Sequence, residues 1–128
     1  MTAPPRLFRL NLEVGDLDRA ARFYAELLGS EGRPQRGGRL YFDAGGVTLQ
    51  VVETAAPHPA AKALYFLTDA LDEIHRRAAA VGGLSQEPVH GGPGGEIVVR
   101  PWGERSFYAA DPWGNPLCFV ESGTVYSG

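Results

Sequence analysis

The sequence predicts an α+β protein made of two copies of a βαβββ module within one domain. Two stretches of weak self-similarity and the punctuation between them carry this expectation. Val14-Gly15-Asp16-Leu17-Asp18 aligns with Thr68-Asp69-Ala70-Leu71-Asp72, and the same register sets Gly29 on Gly83 at the end of each following segment. Asp43 to Glu53 aligns with Asp111 to Glu121 in a longer register, so the second copy carries an insertion, placed at Ser85 to Gly95. The 128 residues include 17 Gly and 10 Pro. That is about a fifth of the chain against a usual share of roughly 12%, which points to short elements and many turns rather than a helix bundle.

Each copy supports the pattern element by element. Leu7 to Val14 alternates and reads as a strand. Asp16 is a suitable cap for the helix that follows, where Leu17, Ala20, Phe23, Tyr24, Leu27 and Leu28 recur at helical spacing until Gly29. A short strand near Arg33 to Gly37 precedes strands at Leu40 to Asp43 and Val47 to Glu53, joined at Ala44-Gly45-Gly46. In the second copy Ala63 to Thr68 is a strand, and Leu71, Ile74, Ala78 and Val81 mark a helix that stops at Gly82-Gly83. Strands are then expected at Ile97 to Trp102, Ser106 to Ala110 and Pro116 to Val120. The modules span about residues 6–54 and 60–122 of a single domain covering 1–128.

Composition narrows the function. Twelve Lys and Arg against 15 Asp and Glu give a formal charge of −3, which argues against a nucleic-acid surface. Hydrophobic residues at 44% suffice for a globular core, and charged residues at 21% are too few for a charge-dominated disordered chain. The single cysteine, Cys118, excludes an internal disulfide, a four-cysteine zinc site and a CxxC redox pair, and favours a reducing cytoplasm. Charges interrupt every apolar run, so neither a signal peptide nor a membrane span is expected.

Val14-Gly15-Asp16-Leu17-Asp18-Arg19, with Phe23-Tyr24 and Leu27-Leu28-Gly29, resembles the opening motif of the vicinal oxygen chelate superfamily. That superfamily includes glyoxalase I, extradiol dioxygenases, fosfomycin-resistance proteins and bleomycin-resistance proteins. Ser106-Phe107-Tyr108-Ala109-Ala110-Asp111-Pro112-Trp113-Gly114-Asn115-Pro116 resembles its final hairpin. The resemblance covers residues 6–122. It implies two modules curled into a half-open barrel around a cavity, a homodimer, and in the enzymes a divalent metal held by side chains from four strands. It does not imply one chemistry, because this fold hosts several.

On this sequence the four ligand positions fall at Arg9, Gln50, Ala63 and Cys118. Arginine offers no lone pair, alanine no donor, glutamine a weak neutral oxygen, and one thiolate does not make a site. A slip of one residue at any position finds no acid and no histidine. His58, His75 and His90 read as surface or loop residues. No metal or other cofactor is therefore expected.

Strand alternation sorts the neighbours. Arg9, Asn11 and Glu13 share a face, as do Thr48, Gln50 and Val52, then Ala63, Tyr65 and Leu67, and Pro116, Cys118 and Val120. The opposite faces are almost wholly apolar and belong under the helices, which leaves the mixed faces concave. The candidate ligand-binding residues are Arg9, Asn11, Tyr41, Gln50, Tyr65, Trp102 and Cys118. Arg9 suits a ligand carboxylate or phosphate, or else an internal acid such as Glu13 or Glu53. Asn11 and Gln50 suit a ligand or each other, and Tyr41 and Tyr65 suit a flat ligand or the core. Cys118 reads as a small buried hydrophobe. Glu104-Arg105 reads as a turn ion pair, and His90 to Gly95 as a lid or a loose connection.

The resulting expectation is a metal-free cavity protein that binds or sequesters a small organic molecule, similar to bleomycin-resistance proteins. Bleomycin itself is not expected, since no strongly acidic groove for that cation is visible. Two enzymatic alternatives stay open. One is a metal-dependent lyase, isomerase or dioxygenase with ligands placed elsewhere or supplied across a dimer. The other is a metal-free enzyme in which Arg9 stabilises an anion and Glu13 or Glu53 acts as base.

Overall fold

A computed structural model describes residues 2–128. The first module consists of β1 (Arg9–Val14), α1 (Leu17–Leu28), β2 (Arg33–Gln35), β3 (Arg39–Asp43) and β4 (Thr48–Glu53). The second consists of β5 (Leu64–Thr68), α2 (Leu71–Ala80), β6 (Pro88–Val89), β7 (Gly92–Pro93), β8 (Val98–Val99), β9 (Arg105–Ala110) and β10 (Pro116–Glu121). The sheets run β1-β4-β3-β2 and β5-β10-β9-β8, with β6 and β7 forming a separate hairpin. In each sheet the first strand lies parallel to the last, and the last pairs antiparallel with the one before it. The two sheets thus share one topology, and the extra hairpin falls in the stretch assigned to the insertion. The sheets are not closed into a barrel.

The register follows from which residues must leave water. Leu12, Val14, Leu40, Phe42, Leu49 and Val51 point to one side of the first sheet and are buried under Ala20, Phe23, Tyr24 and Leu27 of α1. Phe107, Leu117 and Phe119 do the same under Leu71, Ile74 and Ala78 of α2. Each such side chain gains about 1.5–3 kcal/mol on burial, so a one-residue slip in any strand is strongly disfavoured. The two apolar layers fuse into a single core cluster.

The two helices are capped differently. Asp16 Oδ1 accepts from Arg19 N at 3.0 Å, and Gly29 ends α1 in the left-handed conformation at φ 70°. The repeat sets Ala70 where Asp16 stands, so α2 has no side-chain cap, and Thr68 Oγ1 instead accepts the Ala70 amide at 3.0 Å. The left-handed glycine after α2 is Gly82, not the Gly83 that the repeat register selected. Gly83 lies against the Phe23 ring, where a Cβ would come within 3.0 Å.

Several strands are shorter than the sequence predicts, β1 starting at Arg9 and β2 ending at Gln35, and the largest loss is at β8. Ile97 to Trp102 reduces to Val98–Val99, because Arg100 to Gly103 forms a turn closed by Gly103 N donating to Arg100 O at 2.8 Å. Pro101 in that turn has no amide to give to a ladder.

Asp111 and Asn115 of the closing motif tie the modules together. Asn115 Nδ2 donates to Glu13 O at 2.8 Å, Asn115 Oδ1 accepts from Ala60 N at 2.8 Å, and Asp111 accepts from Tyr24 Oη of α1 at 2.7 Å. Trp113 covers Gly15, where any Cβ would meet the indole nitrogen at 2.7 Å. The opening and closing motifs are therefore two halves of one intermodule latch.

Candidate functional site

The seven sequence-selected residues fall into two groups on the two non-helical sheet faces. On the first sheet Arg9, Asn11, Tyr41 and Gln50 cluster. Gln50 stands opposite both Asn11 and Tyr41 across neighbouring strands. Gln50 Nε2 donates to Asn11 Oδ1 at 2.5 Å, so these amides bind each other. Arg9 pairs with neither Glu13 nor Glu53; its guanidinium lies over Phe8 at 4.9 Å and over Tyr41 at 5.1 Å. Both acids are occupied elsewhere. Glu13 Oε1 accepts from His58 N at 2.9 Å, and Glu53 Oε2 accepts the first amide of α1 at 2.7 Å. Neither is a free base beside Arg9.

On the second sheet Tyr65 and Cys118 are register partners, and Tyr108 stands opposite Cys118 on the other side. Tyr65 and Tyr108 join hydroxyls at 3.1 Å. Cys118 is 1% exposed, and burial pushes its thiol up to about 11. It behaves as the packed apolar residue its setting requires. Burial above all, together with the Tyr65 hydrogen bond, also raises the Tyr108 phenol far above its usual range. Trp102 sits at the far end of the face, its indole N–H held by Glu104 at 2.9 Å. No hydrogen bond among the described residues joins the two groups.

His58 and His90 are exposed, in keeping with the surface reading, and His75 is half-buried. The His75 ring packs on Phe107 at 4.9 Å, and Nε2 donates to Gly95 O at 2.8 Å. His90 packs on Trp102 at 4.8 Å. With Gly91 it forms the two-residue turn of the β6–β7 hairpin, both at positive φ (50° and 79°), as a primed turn requires. The glycine-rich stretch is accordingly a flap with an exposed tip and a seated base rather than a loose connection. Tyr108 N donates to Gly94 O at 2.7 Å and Gly94 N to Glu87 O at 3.1 Å, and Gly94 and Gly95 are buried. Glu104 and Arg105 do not pair with each other as a turn ion pair: Arg105 bridges Asp72 and Glu121.

Between flap and sheet lies a cleft of about 520 Å³. Its floor includes Ala63, Tyr108, Ala110 and Pro116, all on the face that carries Cys118, and its roof includes Ser85, Glu87 and Val89. A larger cavity of about 710 Å³ opens on the apolar side instead, between Leu10 and Leu49 of one module and Leu64, Phe66 and Phe119 of the other. Its chemistry is that of an incompletely sealed core.

Sequence reasoning passed over Arg100, Ser106 and Tyr108. For the last two the signal was available, because the hairpin register leads from Cys118 to Tyr108 and from Val120 to Ser106.

The four superfamily metal positions do not fit a divalent ion in this chain. Arg9 brings a cation, Ala63 brings nothing, Gln50 is engaged by Asn11, and Cys118 keeps its proton. Among the described residues no three His, Cys, Asp or Glu side chains gather as a metal cluster.

The profile of the glyoxalase-like domain family matches residues 9–120. The chain belongs to that family and, with it, to the vicinal oxygen chelate superfamily. Among solved structures, that of the oxidase ChaP-H2 is 29% identical with a TM-score of 0.76, covering 98% of this chain and 100% of its own. The oxidase ChaP-H1 is 27% identical at TM-score 0.77 with the same coverage. A bleomycin-binding protein complexed with bleomycin shares the fold at 21% identity and TM-score 0.68, covering 93% and 99%. No curated protein sequence matches the chain. No helix among the described residues is long and apolar enough to cross a membrane.

Proposed function

We propose that this protein binds a small organic molecule at its concave sheet faces, as a homodimer, without a metal held by its own side chains. The cleft under the β6–β7 flap carries the reading. It is concave, walled by Tyr108 and small apolar residues, and fringed by polar groups, which is the usual make-up of a small-molecule site. Tyr65 and Leu67, each 64% exposed on the same face, support a second copy as the missing wall.

The likeness to ChaP-H1 and ChaP-H2 supports a second reading, an oxidase. The donor set at Arg9, Gln50, Ala63 and Cys118 counts against a metal-dependent version of it. One experiment separates the two. Protein stripped by chelator is offered Mn, Fe, Ni, Co and Zn, and retained metal and thermal melting are measured. The binding reading expects no retained metal and no shift. A stoichiometric ion with a raised melting temperature would overturn it in favour of an enzyme. Light scattering checks the dimer, and Leu67→Glu is expected to shift the population toward monomer.

A further inference from the structure

Arg100 is 4% exposed, and no carboxylate lies within ion-pairing distance of it among the described residues. Its Nε donates to Ser106 Oγ at 2.9 Å and its Nη2 to Ser106 O at 3.3 Å. Both acceptors are uncharged. Glu104, on the same turn, spends its two oxygens on the Trp102 indole and the Tyr126 amide. A buried guanidinium held only by neutral acceptors is costly, and such charges are ordinarily paired. Nη1 has no acceptor among the described residues and is not fully sealed, since every fully buried side-chain nitrogen among them has a partner.

The neighbours of the guanidinium are aromatic. The Arg100 guanidinium lies over the Tyr108 ring at 5.3 Å, and Tyr108 also lines the 520 Å³ cleft. His90 of the flap packs on both Trp102 and Tyr108. A fixed cation beside a wall of flat rings matches a flat anion.

We infer that Arg100 is the anchor of an anion site on the second sheet, and that it takes the carboxylate of a small aromatic acid whose ring lies along Tyr108. The inference rests on the small-molecule reading above and names its ligand class. The guanidinium supplies paired donors to a carboxylate, and the ligand's charge supplies the counterion the fold leaves out.

The test uses benzoate and naphthoate with their neutral amides as probes, followed by Trp fluorescence and thermal melting on the wild type, Arg100→Gln and, as a control on the exposed side of α1, Arg22→Gln. The expected result is acid binding that stabilises the wild type, is weakened roughly tenfold or more by Arg100→Gln, and survives Arg22→Gln. Arg100→Gln is also expected to melt no lower than the wild type without ligand, because it removes an unpaired buried charge. Equal acid affinity in Arg100→Gln, or preference for the amides, would overturn the anion site and leave the binding reading standing. Failure of every acid and amide on all three proteins would overturn the anion site, while the small-molecule reading stands or falls on the metal and oligomer measurements above. A sharply lower melting temperature for Arg100→Gln, with no effect of the acids on the wild type, would make Arg100 a structural residue and likewise overturn the site.

Discussion

The Tyr24 hydroxyl donates to Asp111 Oδ2 at 2.7 Å across 87 residues of sequence, joining the first helix to the last hairpin. Tyr24 is fully buried and Asp111 is 5% exposed. Asp111 also takes Trp113 N at 3.0 Å, Asn115 N at 2.9 Å and Asn115 Nδ2 at 2.8 Å. Removing one donor is then far milder than removing the acceptor. Tyr24→Phe is expected to cost about 1–2 kcal/mol. Asp111→Ala strands several buried donors at once and is expected to cost about 3 kcal/mol or more. Urea unfolding of both variants checks the order, and equal losses would show that the carboxyl does not organise the latch.

The same pair sets the alkaline limit of stability. Burial foremost, and then the charge and hydrogen bond of Asp111, raise the Tyr24 phenol well above its ordinary 10.0. Above that ordinary value the unfolded chain releases a proton that the folded chain keeps. Stability is thus intact below pH 10 for this group and falls as pH rises toward the folded value, by about 1.4 kcal/mol per pH unit. Cys118 acts in the same direction between 9.0 and about 11. Denaturant midpoints measured from neutral to strongly alkaline pH are expected to decline from about pH 9 upward. Tyr24→Phe is expected to flatten the upper part of that decline, and an unchanged profile would detach Tyr24 from it.

Cys118 gives an independent check on the second sheet. Alkylating agents attack the thiolate, and a thiol shifted from 9.0 to about 11 holds far less of it at neutral pH. Iodoacetamide is therefore expected to modify the folded protein roughly a hundredfold or more slowly than the denatured chain. Mass spectrometry after timed quenching reads this directly. Rapid labelling of folded protein would place the thiol in an open, electropositive setting and make it a candidate nucleophile.

How legible the molecule was depends on how far each contact reaches. Leu12, Phe42, Leu117 and Phe119 announce their sides by strand alternation, so both sheets and their registers could be read from local pattern. Asn11 and Gln50 were readable as partners for each other or for a ligand because alternation sets both on mixed faces, and the parallel β1–β4 register then puts them opposite one another. The fate of Glu13 and Glu53 was not readable, because each binds a backbone amide far away in sequence, at His58 and Leu17. Arg100 was hidden by the overlong strand expected at Ile97 to Trp102, since burial at a turn leaves no periodic trace. The flap was left between a lid and a loose connection for a related reason. Glycine there serves close packing against distant backbone, and composition alone cannot distinguish that from looseness.

That close packing supplies the last prediction. A Cβ at Gly94 would stand 2.6 Å from Glu87 O, and one at Gly95 would stand 2.7 Å from Ser85 O, both backbone atoms that have little room to yield. Neither residue has a positive φ, so the obstacle is space rather than conformation. Gly94→Ala must then push the hairpin away from β9 and stretch the Tyr108 N to Gly94 O bond. The expected cost is about 1–3 kcal/mol in stability. Amide exchange at Tyr108 is expected to quicken and affinity for any molecule held in the cleft to fall. Gly91→Ala, at the hairpin tip with open space around it, is the control for altered turn conformation without a packing clash. Its φ of 79° makes alanine strained in the turn, but Tyr108 is expected to keep its protection. Rapid exchange at Tyr108 in the wild type itself would show that the flap is not seated, and the cleft would then have no roof.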